Sequence, residues 1–138
     1  MGVIGNKKGL GLLEVMIAMV VFLIGGAALF SLIVTMVKMN RMTNERNYAR
    51  LIAEQIAENL RSVDYKSPEL ENDGDNNDLD DIQNADHSSS TTREGKLYNI
   101  YWNIAEDTPK EGVKTIRVIV THKNIDYRVT TLKGKIRR

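Results

Sequence analysis

Lys7, Lys8, Gly9, Leu10 and Glu14 are the residues of this chain whose types and spacing point most directly to chemistry. Glu14 sits at the edge of an apolar run: from Val15 to Val37 no residue is charged, and Ser31 and Thr35 alone carry polar side chains. A charge in hydrocarbon costs roughly 2.5–3.5 kcal/mol at the centre of an inserting helix and less near its end, so a carboxylate there needs a cationic partner. Cutting the chain after Gly9 would create one. The cut removes a short basic leader, residues 1–9, and frees the α-amino group of Leu10, four residues before Glu14. On a helix, positions i and i+4 share a face, and an α-amine with a reference pKa of about 7.7–8.0 is mostly protonated at neutral pH. Such a pair attracts strongly in a low dielectric. If the amine of one chain meets Glu14 of the next, the attraction selects the axial register of a stacked assembly.

Two plainer readings of the N-terminus account for fewer residues. A secretory signal peptide has an apolar core of 7–15 residues followed by a small-residue cleavage site; residues 10–37 overshoot that length and no A-x-A site follows. A simple signal anchor would keep Lys7 and Lys8 in the cytoplasm, yet Lys38, Arg41, Arg46 and Arg50 crowd the other end, so charge bias does not fix that orientation.

At these residues the chain resembles a type IV prepilin: a basic leader ending in glycine, an apolar first mature residue, glutamate as the fifth, and then an apolar helix, here Lys7, Lys8, Gly9, Leu10 and Glu14. The resemblance implies cleavage between Gly9 and Leu10 by a prepilin peptidase and N-methylation of Leu10 by the same peptidase/N-methyltransferase. It also implies residence in the inner (cytoplasmic) membrane as a single-pass protein with an exported C-terminal domain, then assembly with other pilin subunits through the N-terminal helix into a pilus filament.

The elements that must position these residues follow from periodicity. Between Gly26 and Pro68 there is no glycine or proline, so a helix entering the membrane at Leu10 is expected to run on to Val63. Residues 10–37 form its transmembrane or filament-core half. Residues 38–66 form an amphipathic exported half, with Ala49, Ile52, Ala53, Ile56, Leu60 and Val63 on one stripe. Gly25-Gly26 would serve either close packing or local unwinding.

Residues 96–138 read as an antiparallel sheet that covers the stripe. Tyr98, Ile100, Trp102 and Ile104 alternate with Leu97, Asn99, Tyr101 and Asn103, and a two-residue turn at Lys123-Asn124 would pair His122 with Ile125, Val120 with Tyr127, Val118 with Val129 and Ile116 with Thr131. A slip of one residue would place Arg117, Asp126 and Arg128 on the apolar face, which disfavours any other register. The fold class is therefore α+β, a long helix on a small antiparallel sheet, and it resembles a pilin head. The stretches "ARLIAEQIAENLRSVDY" and "YNIYWNIAEDTPKEGVKTIRVIVTHK" are similar to PilV-like minor pilins in particular.

Charge is segregated although the formal net charge is only +1. Residues 69–86 hold eight acids and no base, and residues 110–138 hold nine bases and two acids. The segment 67–95 has the composition of an acidic, mobile loop. Within it Asp73, Asp75 and Asn77 recur like the oxygen ligands that open a calcium loop, but Asp78 stands where an EF-hand has glycine and Asn84 where it has glutamate. The reading is a solvated loop with no metal, those three being the calcium candidates. Lys133, Lys135, Arg137 and Arg138 are expected to be solvated.

The chain has no cysteine, so disulfides, thiolate metal sites and a cysteine nucleophile are excluded. His87 and His122 are read as solvent-facing, and no Ser/His/Asp set or paired-carboxylate arrangement assembles around them. No enzyme and no cofactor are expected. Three functions from different classes are open: a minor pilin that enters or primes a type IV pilus, a minor pseudopilin of a type II secretion system, and a DNA-binding pilin. The last lacks a basic and aromatic stripe on one strand face, so nucleic acid is not the expected partner.

Overall fold

A computed structural model describes residues 7–135. The chain divides into two compact units, one ending at Met42 and the other beginning at Thr43. One helix, α1 (Lys7–Ser62), contributes to both. Its end lies one residue before the expected Val63. The first unit is this helix alone as far as it is described, with large apolar side chains exposed from Leu12 through Met42. Among the described residues there is one helix long and apolar enough, by length and composition, to cross a membrane.

In the second unit the last five turns of α1 pack on a four-stranded sheet. The strands are β1 (His87–Arg93), β2 (Lys96–Ala105), β3 (Val113–His122) and β4 (Ile125–Gly134), in that spatial order and all antiparallel. The α+β, pilin-like architecture expected from the sequence is therefore present. Ala49, Ile52, Ala53, Ala57 and Leu60 of the helix are buried against Tyr98, Ile100, Ile104, Ile116, Val118, Val120 and Ile125, with Ile56, Val63, Trp102, Tyr127 and Val129 half-buried at the margin. The alanines at 49, 53 and 57 recur every fourth residue, so this face of the helix presents small side chains where it meets the larger aliphatic residues of the strands.

The β3–β4 register is the one that the apolar pattern favours: His122 faces Ile125, Val120 faces Tyr127, Val118 faces Val129 and Ile116 faces Thr131. Lys123, in the connecting turn, adopts φ +50°, a conformation that hairpin turns require and that a side chain makes costly.

Two parts of the segment 67–95 are not loop. Pro68–Leu70 form a single 3₁₀ turn capped by the Ser67 hydroxyl, and residues 87–93 form β1. Sequence periodicity missed β1 because its Ser88, Ser89, Ser90 and Thr92 are exposed and offer no apolar face. Backbone pairing with β2 holds it instead, from His87 opposite Trp102 to Arg93 opposite Lys96. The turn between these strands has Glu94 at φ +49° and Gly95 at φ +71°, the pair of positive values that a tight two-residue hairpin turn uses.

Polar side chains fasten the helix to the ends of the sheet. Lys96 Nζ pairs with Glu45 at 2.7 Å, which lowers the Glu45 carboxyl and raises the Lys96 amine, and the Tyr48 hydroxyl donates to Glu94 at 2.6 Å. At the opposite end Lys133 donates to the carbonyls of Arg61 and Val63, so it caps the C-terminus of α1. The expectation that Lys133 is simply solvated is corrected by these bonds. Lys114, nearly buried, donates to the Leu70 carbonyl at 2.6 Å, pairs with Glu106 at 2.8 Å and lies 5.0 Å over the Tyr65 ring.

Candidate functional site

The residues with sequence-derived roles at the N-terminus sit on α1. Gly9 and Leu10 fall within its first turn, and Glu14 lies one turn beyond Leu10 on an exposed face. The helical backbone thus places positions 10 and 14 on one side of α1. The side chains at 7–10, and the leader residues 1–6, lie outside the described residues. From Glu14 onward the helix presents apolar side chains on every side: Phe22, Leu23, Phe30 and Met36 are all exposed. A helix that is apolar all round must be covered by lipid or by other helices.

A second concentration of charged groups lies on the outer face of the sheet, the face away from α1. The acidic segment folds back over it. Asn103 of β2, fully buried, accepts from the Asp86 amide at 2.9 Å and donates to the carbonyls of Asp78 and Asp81 at 2.8 and 2.7 Å. Asp86 Oδ2 accepts from the Ile104 amide at 2.7 Å, and Asn76 exchanges contacts with the backbone of Glu106. Asp80 Oδ1 receives both Arg117 and Arg128 at 2.8 Å. Arg128 also grips Asp126, which holds the Asp126 carboxyl below its ordinary range. Ile119, between the helix-facing Val118 and Val120, is completely buried on this outer side.

Sequence reasoning missed this covering. The available signal was Asn103 and Ile119, uncharged or apolar residues on a sheet face that would otherwise meet water.

The calcium candidates Asp73, Asp75 and Asn77 lie in consecutive turns of the acidic segment. Asp73 Oδ1 accepts from the Asp75 amide at 3.0 Å, and Asp75 Oδ1 accepts from the Asn77 amide at 2.8 Å, so these side chains build successive turns. The carboxylates that converge are those of Asp73, Asp78 and Asp86, with one oxygen of each within 4.8 Å of the others. Burial, reinforced by the charges of Asp86 and Asp73, pushes the Asp78 carboxyl above its ordinary range.

The histidines have structural surroundings. His87 stacks on Trp102 with ring centroids 5.3 Å apart and contacts the Glu71 carbonyl at 2.9 Å. His122 was expected to face solvent; it is instead buried, with Nδ1 2.6 Å from the Leu97 carbonyl and its ring 4.7 Å from that of Tyr98. Its place at the end of β3, turned toward the helix side of the sheet, accounts for the difference.

No curated protein and no solved structure matches this chain. Residues 4–30, about a fifth of the chain, match a family model described as the prokaryotic N-terminal methylation motif. The matched segment contains Gly9, Leu10 and Glu14 together with most of the apolar run that follows. This N-terminus, joined to an α+β head, supports reading the chain as type IV pilin- or pseudopilin-like.

Proposed function

We propose that this chain is a minor pilin, a structural subunit that is cleaved between Gly9 and Leu10, methylated on Leu10, and incorporated into a type IV pilus or used to prime its assembly. The observation that carries the reading is the methylation motif over residues 4–30, with Glu14 one helical turn from the new terminus and an exposed apolar helix behind it. Before assembly the apolar half is held in the inner membrane and the head is exported. After cleavage the α-amine of Leu10 pairs with Glu14 of a neighbouring subunit, and apolar helix faces replace lipid contacts. The chain is thus the substrate of a peptidase and methyltransferase, with no catalytic role of its own. The PilV-like pattern of residues 49–65 and 98–123 favours a minor subunit.

Intact mass of the protein from piliated cells tests maturation. Loss of residues 1–9 and gain of one methyl group on Leu10 are expected, and a Gly9→Val chain should remain full-length in the membrane. A Met1 terminus on filament-borne protein would remove the reading. Deletion of the chain distinguishes the machines: surface pili should be lost with type II secretion intact, and the reverse outcome would assign a pseudopilus instead.

A further inference from the structure

We propose that Asp73, Asp78 and Asp86 form a calcium site that fastens the acidic segment to the outer face of the sheet. Three carboxylate oxygens, one from each residue, lie within 4.8 Å of one another. Oxygens bound to one calcium ion at about 2.3–2.6 Å can stand no more than about 5 Å apart, so a single ion can reach all three.

An acidic cluster alone would say little, because exposed acids gather without metals. Asp78 supplies an independent observation. Both of its carboxylate oxygens are sealed from solvent, and neither has a hydrogen-bond partner. A desolvated carboxylate with no donor is among the most costly groups a fold can hold, and here it faces two further carboxylates. Asp73 and Asp86 are already oriented: the Asp73 amide donates to Asp86 Oδ1 at 2.8 Å, Asn84 donates to Asp73 Oδ2 at 3.2 Å, and Ile104 donates to Asp86 Oδ2 at 2.7 Å. These contacts leave lone pairs on each oxygen. A cation held by the three carboxylates would give the Asp78 oxygens a partner.

The donor chemistry selects the ion. All-oxygen, carboxylate-rich ligation in a chain without cysteine suits a hard cation, and ligands drawn from an irregular loop suit the flexible geometry of calcium better than the tight octahedron of magnesium. The ligands are 5 and 8 residues apart along the chain, and Asp86 immediately precedes β1. One ion would therefore join the loop to β1 and, through the Ile104 amide, to β2. It would supply a cross-link that a cysteine-free chain lacks.

Calcium titration of the full chain in detergent, followed by calorimetry and by thermal melting read from the single tryptophan, Trp102, tests the site. One ion per chain is expected, with a Kd of about 10⁻⁴–10⁻³ M as in extracellular modules, and magnesium should bind at least tenfold more weakly. Asp78→Asn should reduce calcium affinity at least tenfold and abolish the calcium-dependent rise in Tm. Its metal-free Tm should equal or exceed that of the parent, because an uncharged amide replaces the unpaired carboxylate. Asp75→Asn, outside the cluster, should keep the parental affinity. Absence of binding at about 10 mM calcium, well above that range, would overturn the proposal and leave Asp78 as a buried neutral acid. Calcium binding that survives Asp78→Asn but is lost in Asp75→Asn would overturn it equally.

Discussion

Glu14→Val is expected to separate maturation from assembly. The substitution removes the one charge at the head of the apolar segment, so insertion of the single chain becomes easier and cleavage after Gly9 proceeds. Assembly is where the loss falls. The protonated α-amine of Leu10 would enter a bundle of apolar helices without a counter-charge, and breaking one half of a buried ion pair costs about 3–5 kcal/mol. At about 1.4 kcal/mol per factor of ten, incorporation should fall by two to three orders of magnitude. Mature protein should therefore accumulate in the inner membrane and be nearly absent from sheared filaments. Quantitative immunoblots of the two fractions decide it. If the variant enters filaments as well as the parent, contacts of residues 15–37 place the subunit without help from the ion pair.

The second large effect is predicted on the other side of the molecule. Asn103→Ala should detach the acidic segment from the sheet. Asn103 is fully buried and makes three hydrogen bonds, one from the Asp86 amide and two to the carbonyls of Asp78 and Asp81. Truncation leaves three backbone groups to find water or remain unpaired; with a penalty of about 1–3 kcal/mol for each group that stays buried, a net loss of about 2–4 kcal/mol is expected. For a unit of this size that corresponds to a Tm lowered by roughly 10–20 °C. Amide hydrogen exchange should show where the loss occurs. Protection at Asp86 and Ile104 should fall first, while the β3–β4 ladder keeps its protection until global unfolding. A Tm within about 2 °C of the parent would mean that the segment does not depend on this anchor.

These two sites differ in how far the sequence could reveal them. The sequence by itself determined α1, because an unbroken apolar run leads into the amphipathic stripe at 49–63 with no helix breaker between Gly26 and Pro68. It determined the β3–β4 pairing for a related reason: side chains alternate with period two, so a slip of one residue would bury Arg117 and Arg128 against the helix. It also made the Gly9–Leu10–Glu14 spacing legible, since residues four apart on a helix are neighbours whatever the rest of the chain does.

Tertiary structure alone decided what has no local period. β1 is a strand because β2 offers its backbone, while its own Ser and Thr side chains remain largely exposed. The acidic segment lies on the sheet because Asn103, Arg117, Arg128 and the Ile104 amide receive it, and Asp80 is 37 and 48 residues from its two arginines. Lys133 caps a helix end 72 residues earlier in the chain. The carboxylates of Asp73, Asp78 and Asp86 converge although they stand 5 and 8 residues apart, a grouping with no regular spacing along the chain. The hydrogen bonds and charge contacts that fix these positions depend on where distant groups arrive after the core has formed, and a hydrophobic pattern carries no record of that.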